Sequence, residues 1–108
     1  MATLYKVLGQ SAPAAETDTV LYTVPNATNA VVSTLSVCNR GASTSFRVAI
    51  RPAGATLADQ HYIVYDNFVN AGDAVFLTLG ITLAATDVVT VRAGTADMSF
   101  SLFGSEIT

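Results

Sequence analysis

The sequence predicts an all-β protein, a single antiparallel β-sandwich of about eight short strands and of the jelly-roll type. Three observations predict this class. Apolar and polar residues alternate with period two along several segments, whereas the 3.6-residue period of an amphipathic helix is hard to find in any window of eleven or more residues. Turn residues separate these segments at short, even spacing. The length of 108 residues predicts one domain, 1–108, in which residues 1–17 form an N-terminal strand and arm.

The first half of the chain yields four predicted strands. "TLYKVL" is a first strand, and the small, polar segment "GQSAPAAETD" after it is a loop or arm that could reach a neighbouring subunit. "PNATN" closes the strand around "TVLYTV", and "NRGAS" separates the strands Ala30–Cys38 and Ser45–Arg51. Pro52 ends the fourth strand because proline cannot continue a central ladder. In "FRVAIR", the alternation predicts one core face and one solvated or partner-facing side.

The second half yields the remaining strands. "DQHYIVYD" is predicted to be a strand in which His61 alternates with Ile63 and Tyr65. Gly72 lies in the turn "VNAGDA", where it is free to adopt a positive φ, and Gly80 inside "TLGITL" marks a bulge or bend. "LAATDVV" favours a loop that feeds a strand, and "AGTAD" predicts a tight hairpin loop between the last two strands.

Composition excludes several classes of function. Charged residues make up 12% of the chain, against roughly 25% in an average soluble domain. A net charge of −3 with five scattered basic residues argues against nucleic-acid binding, and no apolar run has the roughly 20 residues of a membrane span. One cysteine cannot form an internal disulfide, so we expect oligomerisation to stabilise this small domain.

No catalytic, metal-binding or cofactor-binding pattern stands out, so we expect neither an enzyme nor a cofactor. The six aspartates lie at least seven residues apart, and most are expected to bond to the backbone in turns. Glu16 and Glu106, near the two termini, are not expected to face each other across a cleft. Cys38 is expected to be an inert small side chain, and His61 a hydrogen-bonded strand residue rather than a general base.

Four residues are candidates for an interface: Arg47, Arg51, Tyr62 and Tyr65. The two arginines lie on the polar face of one predicted strand, about 13 Å apart, and arginine and tyrosine are enriched at protein contacts. The alternative is that the arginines are solvated or pair within the chain with Asp59 or Asp66.

Four stretches of the sequence, "LYTVPNATNAVVSTLSVCNRG", "FRVAIRPAGATLADQHYIVYD", "LTLGITLAATDVVTVRAG" and "MSFSLFGSEI", resemble small virion structural proteins of tailed bacteriophages, including cyanophages. Together these stretches span the chain from about Leu21 to Ile107. The resemblance implies a β-sandwich that is made in the host cytoplasm and assembles on a larger shell or tail, commonly as a trimer.

Two placements in the virion follow from the resemblance. A capsid cement (decoration) protein would bind the major capsid protein on the outer surface of the shell, whereas a tail-fibre, neck or baseplate component would bind tail proteins. The bare single domain, with no coiled-coil stem or fibrous repeat, favours cement. A small module that binds a glycan or receptor is a third alternative.

Overall fold

The computed structural model describes residues 2–108 of the chain. These residues form eight β-strands, namely β1 (Thr3–Ser11), β2 (Thr19–Thr23), β3 (Asn29–Asn39), β4 (Thr44–Arg51), β5 (Tyr62–Val69), β6 (Ala74–Leu83), β7 (Val88–Ala93) and β8 (Met98–Ile107). Two short 3-10 turns, Pro52–Gly54 and Asp59–His61, lie between β4 and β5. The predicted β-sandwich of about eight strands is confirmed.

The strands form two four-stranded antiparallel sheets, sheet A with the order β1-β8-β3-β6 and sheet B with the order β2-β7-β4-β5. Strand β1 pairs with β8, β2 with β7, β3 with β6 and β4 with β5. The first half of the chain therefore runs back along the second half like one long hairpin, and successive pairs alternate between the sheets. This winding is the jelly roll, a double-sheet fold of eight strands.

The core lies between the two sheets and follows the predicted alternation. Phe46 of sheet B and Phe100 of sheet A meet edge to face across it, with ring centroids 6.0 Å apart. The other large side chains that are almost fully buried come from both sheets and from Val24, which directly follows β2: Leu35, Met98, Leu102, Val24, Val32, Val37, Val48, Val69, Val89 and Val91. Each central strand thus sends alternate side chains inward, as a sandwich requires.

The predicted hairpin at "AGTAD" is wrong. Strand β7 pairs with β2 and β4 in sheet B, whereas β8 pairs with β1 and β3 in sheet A, so residues 94–97 cross from one sheet to the other. Strands that follow each other in sequence usually neighbour each other in space. In the jelly roll, however, β7 and β8 each complete a pairing with a strand from the first half of the chain.

Two predicted boundaries also need correction. Strand β1 continues to Ser11, because Gly9–Ser11 pair with Leu102–Phe100 of β8. Glycine is needed at position 9, since a side chain there would collide with the carbonyl oxygen of Leu21. His61 ends a 3-10 turn and precedes the strand, because its backbone N–H and its ring both bond to Ala58.

The glycine and loop predictions are confirmed. Gly72 has a φ of +73° in the turn between β5 and β6, and Gly80 has a φ of +61° where the register of β3 with β6 shifts. Ala84–Asp87 form the loop that feeds β7. On the outer side of β7, Val88 and Thr90 are buried beside the first 3-10 turn.

Candidate interface site

The edge strands of the sandwich form two opposite flanks. Strand β1 contacts β2 across the sandwich, so these two edges form one side, which we call the β1/β2 flank. The other two edges form the β5/β6 flank. Within residues 2–108, all large hydrophobic side chains that are exposed lie on these edge strands: Leu4, Tyr5 and Val7 on β1, Val20 on β2, Ile63, Tyr65 and Phe68 on β5, and Phe76 on β6. Each flank carries four of them.

The flanks are almost free of net charge. Strands β2 and β6 contain no charged residue, β1 contains only Lys6, and β5 contains only Asp66. Lys6 pairs with Glu106 of β8 at 2.8 Å, and Asp66 pairs with Arg47 of β4 at 2.7 Å. Both charges on the edge strands are therefore neutralised within the chain.

Three of the four predicted interface residues come together beside the β5/β6 flank. Arg47 donates from Nε to Oδ1 of Asp66 at 2.7 Å and from its terminal nitrogen to Oδ2 at 3.3 Å, in a two-pronged pair. Its guanidinium carbon lies 4.1 Å from the ring centroid of Tyr65. The rings of Tyr62 and Tyr65 meet edge to face, with centroids 5.0 Å apart. We call Arg47, Tyr62, Tyr65 and Asp66 the arginine–tyrosine cluster.

A bulge in β5 shapes this cluster. Phe46 pairs with Asn67 and Val48 pairs with Val64, so two residues of β5, Tyr65 and Asp66, stand opposite the one residue Arg47. Asp66 has a φ of +53°, which aspartate tolerates better than most residues. The hydrogen bond from Arg47 holds the pKa of the Asp66 carboxyl below its usual range, so the pair stays ionised at neutral pH.

Arg51 is not part of the cluster. Its Nε donates to Oγ1 of Thr90 at 3.0 Å, and a terminal nitrogen donates to the carbonyl of Ala55 at 3.0 Å. Arg51 therefore fastens the first 3-10 turn onto β7. Of the alternatives raised for the two arginines, an intrachain partner is correct for Arg47 with Asp66, whereas Arg51 bonds to neutral groups.

A second ionic cluster was not predicted from the sequence. Glu106, only 7% exposed, accepts hydrogen bonds from Lys6 at 2.8 Å and from the hydroxyl of Tyr22 at 2.5 Å. Lys6 and Glu106 belong to sheet A and Tyr22 to sheet B, so the cluster ties the two sheets together at the β1/β2 flank. Its members lie 84 and 100 residues apart in sequence, and no local pattern could have joined them.

The remaining polar residues have local roles. Nδ1 of His61 accepts from the backbone N–H of Ala58 at 3.0 Å, and Asp87 accepts from the N–H groups of Ala53 and Ala84, as expected of a turn aspartate. Cys38 is exposed on the outside of sheet A. Across residues 2–108, no three His, Cys, Asp or Glu side chains are grouped so that they could hold a metal ion. No helix in the same range is long and apolar enough to cross a membrane.

Comparison with known proteins gives no further identification. No model of a known family matches the chain, and no curated protein matches it. The fold, the two apolar flanks, the arginine–tyrosine cluster and the sequence resemblance are the features that bear on function.

Proposed function

We propose that this protein is a structural component of a tailed-bacteriophage virion, and specifically a capsid cement protein that binds the major capsid protein on the shell surface as a homotrimer. The observation that carries the proposal is the placement of the exposed large hydrophobic side chains on the edge strands alone. Contiguous exposed apolar side chains mark contact surfaces. A small sandwich with such flanks is suited to assembly with other proteins.

The proposed role accounts for the low charge of the chain. A net charge of −3 keeps the protein off the packaged nucleic acid, while few exposed charges let it dock against another protein surface. A cement protein stabilises the shell by mass action, because it binds only the assembled lattice and so shifts the equilibrium towards the intact particle. This role needs no catalytic group and no cofactor.

Arg47, Tyr62 and Tyr65 are the proposed contact residues for the shell or a neighbouring copy. They form one polar and aromatic cluster in which the arginine is already oriented by Asp66 and Tyr65, so little side-chain entropy is lost on binding. Arg51, which holds the first 3-10 turn, supports the fold beside them.

The deciding experiment is cryo-electron microscopy of purified virions with icosahedral averaging. The cement role predicts density that fits this sandwich at the local three-fold or two-fold positions of the outer lattice. A bare lattice, with matching density at the neck, fibres or baseplate, would reject cement and assign the protein to the tail.

A pull-down with co-expressed major capsid protein tests the contact residues. Arg47→Glu should weaken capture at least about ten-fold, because it places a second carboxylate beside Asp66 and removes the guanidinium from Tyr65. Arg40→Glu is the matched control, since it makes the same change of charge on a residue that bonds to Ser99 and Ala96. Equal capture of both variants would exclude Arg47 from the contact.

A further inference from the structure

We infer that two copies of this chain pack face to face through the outer surface of sheet A, about a two-fold axis that runs close to the strand direction. We call this surface the A face. It consists of the side chains of β1, β8, β3 and β6 that point away from the core. The inference goes beyond the proposed function and does not rest on it. The arginine–tyrosine cluster belongs to sheet B, so a contact there leaves the A face free.

The first support is the absence of charge from the A face. The strands of sheet A contain only two charged residues, Lys6 and Glu106. Both lie on the inner side, where they bond to each other and Glu106 also bonds to Tyr22 of sheet B. The outer surface of sheet B, by contrast, carries Arg47 and Arg92 and is partly covered by the first 3-10 turn. A face without charge meets no like-charge repulsion when it packs against a second copy of itself.

The second support is the distribution of large and small side chains on the A face. Tyr5 and Val7 are exposed at one border, on β1, and Phe76 is exposed at the other border, on β6. Between these borders, β8 and β3 present mainly serine and threonine, namely Ser101, Ser105, Thr34 and Ser36, beside Val31 and Phe103. The large apolar side chains therefore lie at the two borders and most of the small ones in the middle.

A two-fold axis along the strands uses this distribution. When the axis passes through the middle of the A face, β6 of one copy lies opposite β1 of the other, and β3 lies opposite β8. Phe76 of each copy then lies against β1 of the other copy, near Val7, and the contact occurs twice, as two-fold symmetry requires. The small side chains in the middle let the two sheets approach to about 10 Å, in the aligned packing that is usual between twisted sheets.

Several hydroxyl groups of the A face are already bonded within the chain. Ser33 donates to the carbonyl of Phe103, and Ser101 accepts from the amide of Gln10. Ser99 accepts from Arg40, which lies at the end of the face. A polar group is costly to bury only when it is left without a partner. A dimer therefore covers these three hydroxyls without the loss of a hydrogen bond.

The size of the A face is sufficient for a dimer. Four strands are about 19 Å wide and ten residues of strand span about 33 Å, so the flat area is roughly 600 Å². Two such faces together bury roughly 1,200 Å², and the relief of the side chains adds to this value. Specific protein interfaces bury about 1,200–2,000 Å² in total. Nearly the whole A face is therefore needed for a stable contact.

Charge variants of the full-length chain test the contact and its axis. The parent protein should form dimers, or paired trimers if the trimer of the proposed function also forms. Phe76→Lys and Val7→Glu each place two unpaired charges in the dimer, so each alone should weaken it at least about 100-fold. A mixture of the two variants should form heterodimers, because the lysine of one copy then faces the glutamate of the other. Val20→Lys, a matched change on an exposed residue of sheet B, should leave the dimer intact. Native mass spectrometry and sedimentation velocity measure these masses.

Cys38 reports directly on the A face, because it is the only cysteine of the chain and is exposed there. In the parent protein, its reaction with iodoacetamide should slow several-fold as the protein concentration rises and dimers form. In Phe76→Lys, the rate should not change with protein concentration. Far-UV circular dichroism of this variant, compared with that of the parent, separates a blocked contact from a damaged fold, and Val7→Glu gives a second, independent block.

Several outcomes would overturn the inference. These are a parent protein that stays monomeric at millimolar concentration, a folded Phe76→Lys variant with the parent's mass, and a mixture without heterodimers. Protection of Cys38 on capsids but not in the free protein would also overturn it and would assign the A face to the shell. Dimers without trimers would overturn the trimer of the proposed function alone, whereas trimers in which Cys38 stays reactive would overturn this inference alone.

Discussion

The two ionic clusters contain the same kinds of side chain, a cation, a carboxylate and a tyrosine, but they differ in burial. At the β1/β2 flank, Lys6 pairs with Glu106 and a tyrosine hydroxyl completes the cluster. At the β5/β6 flank, Arg47 pairs with Asp66 and a tyrosine ring lies against the guanidinium. Glu106 is buried, whereas the Asp66 side chain is about half exposed. Both clusters neutralise an edge, but we expect only the buried one to stabilise the fold.

The difference follows from solvent. An exposed ion pair is screened by water and salt and contributes little to stability. A buried carboxylate is costly unless it is well bonded, and the removal of its acceptor oxygens leaves other buried groups unsatisfied. We therefore expect the Arg47–Asp66 pair to act in surface contacts, and the Glu106 cluster to stabilise the packing of the two sheets.

The largest effect is expected for Glu106→Ala. The substitution leaves the buried Tyr22 hydroxyl without its partner, and we expect the free energy of unfolding to fall by about 2 kcal/mol. Asp66→Ala is the matched change at the exposed cluster and should leave the urea midpoint unchanged. Equal losses of unfolding free energy in the two variants would show that burial does not decide which cluster stabilises the fold.

The pH dependence of stability should distinguish the clusters at the acid side. Hydrogen bonds from Lys6 and then Tyr22 lower the pKa of Glu106 from its usual 4.5, so its contribution is present above that pH and is lost as the pH falls through the lowered value. Urea unfolding between pH 2 and 7 should show this loss. Glu106→Gln should flatten much of the acid slope. An unchanged slope in that variant would assign the acid loss to other carboxylates.

A smaller effect is expected at the alkaline side. Burial, together with the hydrogen bond to Glu106, raises the pKa of Tyr22 above its usual 10.0. Its contribution is therefore complete below pH 10 and is lost as the pH rises towards the raised value. Tyr22→Phe should cost about 1 kcal/mol at pH 7 and remove this alkaline loss. If Tyr22→Phe unfolds with the parent's alkaline slope, the loss comes from another group.

The sequence was sufficient for the fold class because local chemistry controls it. The core positions in "FRVAIR" and the turns around Pro52 and Gly72 depend on neighbouring residues, and these predictions were correct. Ala49, on the side of the strand predicted to be solvated or partner-facing, is buried as well. The hairpin at 94–97 failed because the choice of sheet for β7 and β8 depends on partners from the far end of the chain. The arginine–tyrosine cluster was partly predictable, since Arg47, Tyr62 and Tyr65 lie on neighbouring strands. The Glu106 cluster was not, because its three residues come from three distant segments.

The smallest effect is expected for Asp66→Asn, which keeps an oxygen for Arg47 but removes the negative charge. Because the pair is exposed, the urea midpoint should not move. The unneutralised Arg47 would then lie beside the apolar β5/β6 flank, and we expect self-association to weaken roughly three-fold at low salt and to recover at high salt, where the charge is screened. Sedimentation equilibrium at two salt concentrations measures this. If self-association is unchanged at both salt concentrations, the Arg47–Asp66 pair does not act by neutralising the edge strand. We would then assign the arginine–tyrosine cluster to contact with the shell.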